Sequence, residues 1–514
     1  MTHASVVTDD HEWYTTPVEM PSQEAPSDAR GGTGAGGAEA HFVFVPLMFQ
    51  GHLIPSVDTA LLLATHGAVA SVVVTPYYAG RDHRTVDLTM MRWLSGSPVV
   101  RVVELPLDCA AVGLPDEAED VDKIPPGLWE NYFRALALLR EPLERHLRAG
   151  GAPYPTCIVG DFCLPWTQEL AASLGVPRVS FFSMCAFCVL CQHNVERYNA
   201  YAGVADGGEP VVVPGLGEKR FEVTRAQAPG FFGFPGWEDY ADAVECAVAE
   251  ADGVVMNTFL EMEPEFVAGY EAARGMKVYT IVSVSLYHQR TMTLAARGKT
   301  TAIDADKCLQ WLDAKDPDSV VYVSFGSTVH ADPKQAIKNE ELYGETVREF
   351  LHELETRVAG RGLLVRGWAP QVLILSHAAT GGFVTHCGWN SMLEAVAAGL
   401  PVVTWSHFSD QFLNEKMAVE VLGIGVSVGF NEPLTFQAEK KDIVVGRVEV
   451  QKAVRSIMDG GEDGKERRRK VRALADQARA TVQEGGSWFT NLLDLIKSFT
   501  VKQGDCRHIL LERF

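Results

Sequence analysis

The chain has 514 residues, 47% hydrophobic and 22% charged, enough to bury two or more globular cores. Its net charge of −21 argues against nucleic acid or an anionic membrane as a partner. The 10 cysteines show no paired metal spacing and no apolar run reaches membrane-spanning length, which suits a reducing, cytoplasmic setting.

Residues 1–40 are polar, acidic and rich in Gly, Pro, Ser and Thr, which predicts a disordered extension. They lack the basic start and apolar middle of a signal peptide, and their acidity is wrong for a transit peptide. Residues 41–46 form the first predicted strand, running into Phe49-Gln50-Gly51-His52 and a helix over 54–66. Strands follow at 69–75 and 99–105, then a loop over 106–126 and one long helix over 129–149. Residues 157–160 deliver Asp161 to a strand's carboxyl end, and a helix (166–174) and a strand (178–182) come next. Cys185, Cys188 and Cys191 share one face of an apolar run and read as buried thiols. A loop over 215–229, a helix over 237–251 and strands at 253–257 and 277–281 complete a first domain, 41–284. Such alternation means a doubly wound parallel sheet.

Residues 285–303 are polar and aperiodic, and read as an interdomain linker to a second domain, 304–485. There the elements are a helix at 305–312, strands at 320–325 and 362–365, and helices at 448–458 and 464–484. Gly326-Ser327 after the first of these strands permits close approach to a phosphate. A last helix is expected at 491–499, within a closing segment 486–499, before an atypical tail, 500–514.

The densest stretch is 368–411. An apolar strand ends in His386-Cys387-Gly388, and Trp389-Asn390-Ser391 opens a helix with Met392, Leu393, Val396 and Ala397 on its buried face. Gly399 stops that helix and 401–405 is the next strand. His386, Asn390, Ser391 and Glu394 thus gather at a strand's end and a helix's start, where unpaired N–H groups and the helix dipole favour an anion. Taken singly, Trp368 and Trp389 could equally be core aromatics and His386 a strand-end histidine.

As one ordered string, WAPQ, HCGWNS, Glu394 and Asp410-Gln411 resemble the signature box of plant secondary-product glycosyltransferases, which use UDP-sugars. The resemblance extends over most of 41–499. It implies the GT-B architecture: an α/β fold of two doubly wound Rossmann-like domains facing a cleft. It implies that Trp368 stacks on uracil while the Ala369 backbone bonds its edge. Gln371 and Glu394 would hold the ribose, and His386, Asn390 and Ser391 the phosphates. Asp410, Gln411 and the Trp389 backbone would hold the sugar, with the terminal Gln fitting glucose. The last helix would pack back on the first domain.

An alcohol is a weak nucleophile near neutrality, so glycosyl transfer needs a base, and histidine titrates nearest pH 7. His52 and Asp161 follow strands that end on one sheet edge, where a carboxylate can orient an imidazole. FQGHLIP and VGDFCLPW resemble the two contexts of the family's His–Asp dyad. A strand-end surface histidine and a helix-capping aspartate are the plainer alternatives. No metal or other cofactor is implied beyond the UDP-glucose donor. Phe162, Trp166, Met184, Phe187 and Phe231 could line an acceptor pocket or belong to the core. DFCLPWT and the 214–229 loop look like the branch that glucosylates flavonoids, terpenoids and similar hydroxylated small molecules. A monomer is expected.

One departure stands out. Between 320–325 and 362–365 there is no apolar strand, and after Ile337 the chain jumps to the acidic run Lys338-Asn339-Glu340-Glu341. Against the family pattern one helix–strand unit is missing from the second domain. An empty inner position would cost several kcal/mol, out of a total stability of about 5–15 kcal/mol. Two explanations stay open, a truncated variant or a rearranged domain, and with the first goes a UDP-sugar-binding protein that no longer turns over. A nicotinamide oxidoreductase would need a glycine-rich fingerprint after the first strand, which is absent.

Overall fold

The computed structural model describes residues 40–79, 100–125, 127–150, 153–281, 305–326, 351–431, 433 and 445–511, with a strand at 4–9. Its strands, in chain order, are β1 (Ala4–Asp9), β2 (His41–Val45), β3 (Val69–Val74), β4 (Val100–Glu104), β5 (Cys157–Asp161) and β6 (Arg178–Phe182). They continue as β7 (Val211–Val212), β8 (Glu222–Val223), β9 (Gly253–Met256), β10 (Val278–Thr280) and β11 (Val320–Ser324). The last are β12 (Gly362–Arg366), β13 (Thr380–Thr385), β14 (Val402–Thr404) and β15 (Gly425–Ser427).

Seven strands form a wholly parallel sheet in the order β10-β9-β6-β5-β2-β3-β4. Every residue of β2, β3, β5 and β6 is buried, as a sheet covered by helices on both faces requires. The chain winds outward from β2 to β4, then restarts at β5 and winds the other way. The reversal lies between β2 and β5, where ligands of open α/β sheets bind. The second sheet runs β12-β1-β11-β13-β14-β15, with its reversal between β11 and β13. Helix Ser487–Leu511 packs on the first sheet. Its Trp488 is buried, Phe499 meets Phe42 edge to face, and Asn491 and Ser498 bond Thr280 and Tyr279.

Several expectations need correction. The extension 1–40 is not disordered throughout, since β1 lies inside the second sheet, antiparallel to β11 and to β12. Its Val6-Val7-Thr8 run suits a strand. The vacancy expected between β11 and β12 is therefore filled from the amino terminus. The helix at 129–149 is two helices, Trp129–Ala137 and Arg140–Arg148, because Pro142 has no N–H to give the Leu138 carbonyl. The tail is not separate: the last helix continues to Leu511, absorbing Gly504 at a cost of about 1 kcal/mol. Helix Pro264–Arg274 escaped the sequence reading. The linker at 285–303 and the 327–350 stretch, Ser327 included, lie outside the described residues.

Candidate active site

His52 sits in the first turn of helix Gln50–Thr65 rather than in a loop before it. Residue Val45 of β2 lies opposite Gly160 of β5, so His52 and Asp161 emerge side by side at the first sheet's reversal. The His52 Nδ1 to Asp161 Oδ2 distance is 2.8 Å, with the carboxylate fully buried and the imidazole 21% exposed. A carboxylate only accepts, so Nδ1 carries the hydrogen and Nε2 keeps its lone pair. Asp161 also accepts the Leu47 N–H at 3.3 Å and the Cys163 N–H at 3.0 Å. Burial pushes the His52 pKa down, but the charge of Asp161, the hydrogen bond to it and the charge of Asp410 carry it above its ordinary 6.5.

His52, Asp161 and Cys163 bring ligand atoms within 4.8 Å of one another, as a metal site would. Burial, then the adjacent Asp161, raises the Cys163 thiol far above its usual range. A protonated thiol is a donor to the carboxylate and a poor metal ligand. Aromatic rings wall the imidazole. Phe162 stacks on it with centroids 6.3 Å apart, Phe49 lies 6.3 Å away on a tilt, and Phe182 and Phe231 pack against Phe162. Phe49 continues into Trp129. Of the proposed pocket residues, Phe162 stands beside His52, and Phe231 packs behind it against Phe162 and Phe182. Met184 is half-buried, and Trp166 is buried at the start of its helix. Phe187 is core: it is fully buried between Phe221 and Phe266, and helix Ala186–Arg197 turns it there.

The second sheet's reversal carries His386 and helix Trp389–Ala398. Gly326 and Gly388 flank the His386 ring so closely that a Cβ on either would fall 2.3 or 2.4 Å from its Nε2. Cys387 takes the left-handed conformation, φ 66°, unusual for a residue with a side chain. Asn414 holds this turn by donating to the Cys387 carbonyl at 2.9 Å and to Asp410 Oδ2 at 2.7 Å. Gln371 Nε2 donates to Glu394 Oε2 at 2.7 Å and to Ser391 Oγ at 3.0 Å, which joins the loop after β12 to the helix. Trp368 is half-buried and Ala369 buried in that loop. Gln411 is buried, its Oε1 accepting the His407 and Phe408 amides. Burial raises the Asp410 pKa while Asn414 and His52 oppose the rise.

The two reversals face each other in contact. Trp389 Nε1 donates to the Asn257 carbonyl at 2.6 Å, and Asn257 Nδ2 to Asn390 Oδ1 at 2.8 Å. Asn390 Nδ2 donates to the Gly51 carbonyl at 3.0 Å. In a regular helix that carbonyl would accept the N–H four residues on, but residue 55 is proline. Pro55 thus opens the acceptor that Asn390 uses. Asn257 and Asn414 escaped the sequence reading. Asn414 lies one turn after Asp410 on one helix, a spacing that could have pointed to it, whereas Asn257 carries no local signal. Among the described residues, no helix is long and apolar enough to cross a membrane.

Residues 300–437 match the family model described as UDP-glucoronosyl and UDP-glucosyl transferase. UDP-glycosyltransferase 73E1 of Stevia rebaudiana is 40% identical over 484 residues, spanning 90% of this chain and 96% of that protein. UDP-glycosyltransferase 73D1 of Arabidopsis thaliana is 38% identical over 491 residues, spanning 89% and 96%. The crystal structure of Glycyrrhiza uralensis UGT73P12 complexed with glycyrrhetinic acid 3-O-monoglucuronide superposes with a TM-score of 0.80 at 31% identity, covering 92% of this chain and 98% of that one.

Proposed function

The chain belongs to the plant UDP-glycosyltransferases, enzymes that use UDP-sugar donors, and on that premise we propose that it moves glucose from UDP-glucose, with inversion, to a hydroxyl of a small plant secondary metabolite. The observation that carries this reading is the His52–Asp161 pair, one residue from the Gly51–Asn390 contact that joins it to the helix proposed to hold the diphosphate.

In this reading the acceptor hydroxyl lies against Phe162 and gives its proton to His52 Nε2. Its oxygen attacks the anomeric carbon, the bond from that carbon to the UDP oxygen breaks on the opposite face, and Asp161 steadies the imidazolium that forms. Departing charge is met by the start of helix Trp389–Ala398, by His386 and by the side chains of Asn390 and Ser391. No metal is required for these steps. Trp368 and the Ala369 backbone take the uracil, Gln371 and Glu394 the ribose, and Asp410 with Gln411 the glucose. The aromatic wall favours a flat or bulky apolar acceptor, a flavonoid, another phenolic or a terpenoid. The ligand of the Glycyrrhiza relative is a 3-O-glycoside, a small molecule glycosylated at oxygen.

The test incubates the protein with UDP-glucose and a panel of plant phenolics and terpenoids, with products scored by mass. His52→Ala should abolish transfer while UDP still binds. Unchanged turnover in that variant would remove the base assignment. UDP binding by the parent chain without transfer to any acceptor would favour the binding-only reading.

A further inference from the structure

The amino-terminal strand has a place that the ordinary construction of such a sheet does not supply. Strands β11 and β12 are parallel and two positions apart, about 9–10 Å, with β1 between them. A helical crossover delivers its strand parallel to the one before it, yet β1 is antiparallel to both neighbours. Four residues of β1 pair with β11, Val6↔Val323 through Asp9↔Val320, and five with β12, Ala4↔Arg366 through Thr8↔Gly362. Among the described residues β12 has no other strand partner. Immediately after Arg366 come Gly367, Trp368, Ala369, Pro370 and Gln371. The loop assigned to the nucleoside therefore hangs from a strand that, among the described residues, reaches the rest of the sheet through β1 alone.

We propose that strand β1 serves as the inner strand between β11 and β12, and that it acts as a positioning element of the donor site by fixing the Trp368–Gln371 loop. This rests on the reading of that loop as the uridine-binding one. Without β1, both β11 and β12 present open edges, and their N–H and C=O groups turn to water. The loop then loses its register against Glu394 and Ser391, the partners of Gln371. Residues 10–39 have a fully extended reach of about 100 Å, so the strand can come from its own chain.

The experiment compares the full chain with a chain lacking residues 1–10 and with Val7→Pro. Consecutive residues of a central strand bond to opposite neighbours, so this proline removes one ladder bond and leaves the chain length unchanged. Three quantities are read: amide exchange at 362–366, the dissociation constant for UDP, and KM against kcat for UDP-glucose. The truncated chain should exchange faster at 362–366 and bind UDP about tenfold or more weakly. Val7→Pro should show a smaller change of the same kind, with KM rising and kcat kept. A synthetic peptide of residues 1–12 should restore protection and affinity in the truncated chain. Unchanged exchange at 362–366 with unchanged UDP affinity overturns the proposal, and so does a uniform loss of kcat with KM unmoved. Affinity of the full chain that falls on dilution, together with a dimer in sedimentation, would assign the strand to a second copy and overturn it as stated. Absence of UDP binding by the full chain would sink the donor-site reading instead, while exchange at 362–366 still tests the strand.

Discussion

Replacing Asp161 by asparagine gives the sharpest test of the catalytic reading. The carboxylate accepts His52 Nδ1–H at 2.8 Å and two backbone N–H groups, and it is fully buried. An asparagine keeps the shape and one acceptor oxygen. Oδ1 takes the Cys163 N–H at 3.0 Å and Oδ2 the longer Leu47 contact at 3.3 Å, so the asparagine oxygen keeps the shorter bond to Cys163 and its NH2 falls on the Oδ2 side, toward the imidazole, giving up the Leu47 bond. A donor facing Nδ1 forces the hydrogen onto Nε2, the atom that must receive the acceptor's proton. The wrong tautomer in a comparable triad lowers turnover about 10⁴-fold, and a loss of about 10³–10⁴ here corresponds to about 4–5.5 kcal/mol of transition-state stabilisation. The assay is initial rate with UDP-glucose and an accepted phenol across pH, beside a UDP titration. In the parent, the raised His52 pKa places the acidic limb of the rate above the ordinary 6.5. In Asp161→Asn both raising influences of Asp161, its charge and its hydrogen bond, are gone and only that of Asp410 stays, so the limb moves to lower pH while the plateau collapses. The pair's contribution to stability is complete below the unfolded pKa of His52 and is lost as pH rises through its raised folded value. The gap in melting temperature between parent and variant should therefore narrow from acidic to alkaline buffer. A variant within tenfold of parental turnover, with its acidic limb unmoved, would refute the reasoning.

Three other outcomes are expected. Gly388→Ala places a Cβ 2.4 Å from His386 Nε2, so the ring must leave its slot, and calorimetry should record weakened UDP binding with acceptor binding intact. Asn414→Ala orphans the buried Cys387 carbonyl, at about 1–3 kcal/mol, which chemical denaturation will register together with a higher KM for UDP-glucose. Pro55→Ala restores an N–H that competes for the Gly51 carbonyl, and steady-state kinetics should show a higher KM for the donor and little change in melting temperature.

Much of the architecture was legible because the parallel strands are short, apolar and buried on both faces. The runs at β2, β3, β5, β6 and β13 announce themselves without help from their neighbours. His52 and Asp161 were legible because each follows such a run directly. Strand β1 was not, since ASVVTD is six residues inside a polar, acidic stretch and its pairing partners lie more than 300 positions away. Helix Pro264–Arg274 does carry local marks, a proline in its first turn and Gly275 past its end, with Phe266, Val267 and Tyr270 buried together. For Phe187 the sequence leaves pocket and core both open, because an aromatic residue near a candidate site looks the same in sequence whether it faces a cavity or the core; its burial between Phe221 and Phe266 decides for the core. Asn257 reaches Trp389 and Asn390, more than 130 positions away, which no spacing rule reveals.

In the proposed donor site Asn390 would join two tasks in one side chain. Its amide nitrogen carries two hydrogens, and one already reaches the Gly51 carbonyl. The second can reach a phosphate oxygen at the same time. On the proposed reading, arrival of the donor would tighten a strut that ends one residue from the base, and departure of UDP would slacken it. Occupancy of the sugar site and alignment of the proton acceptor would then rise and fall together, so that the base is best placed only while a donor is there to be attacked.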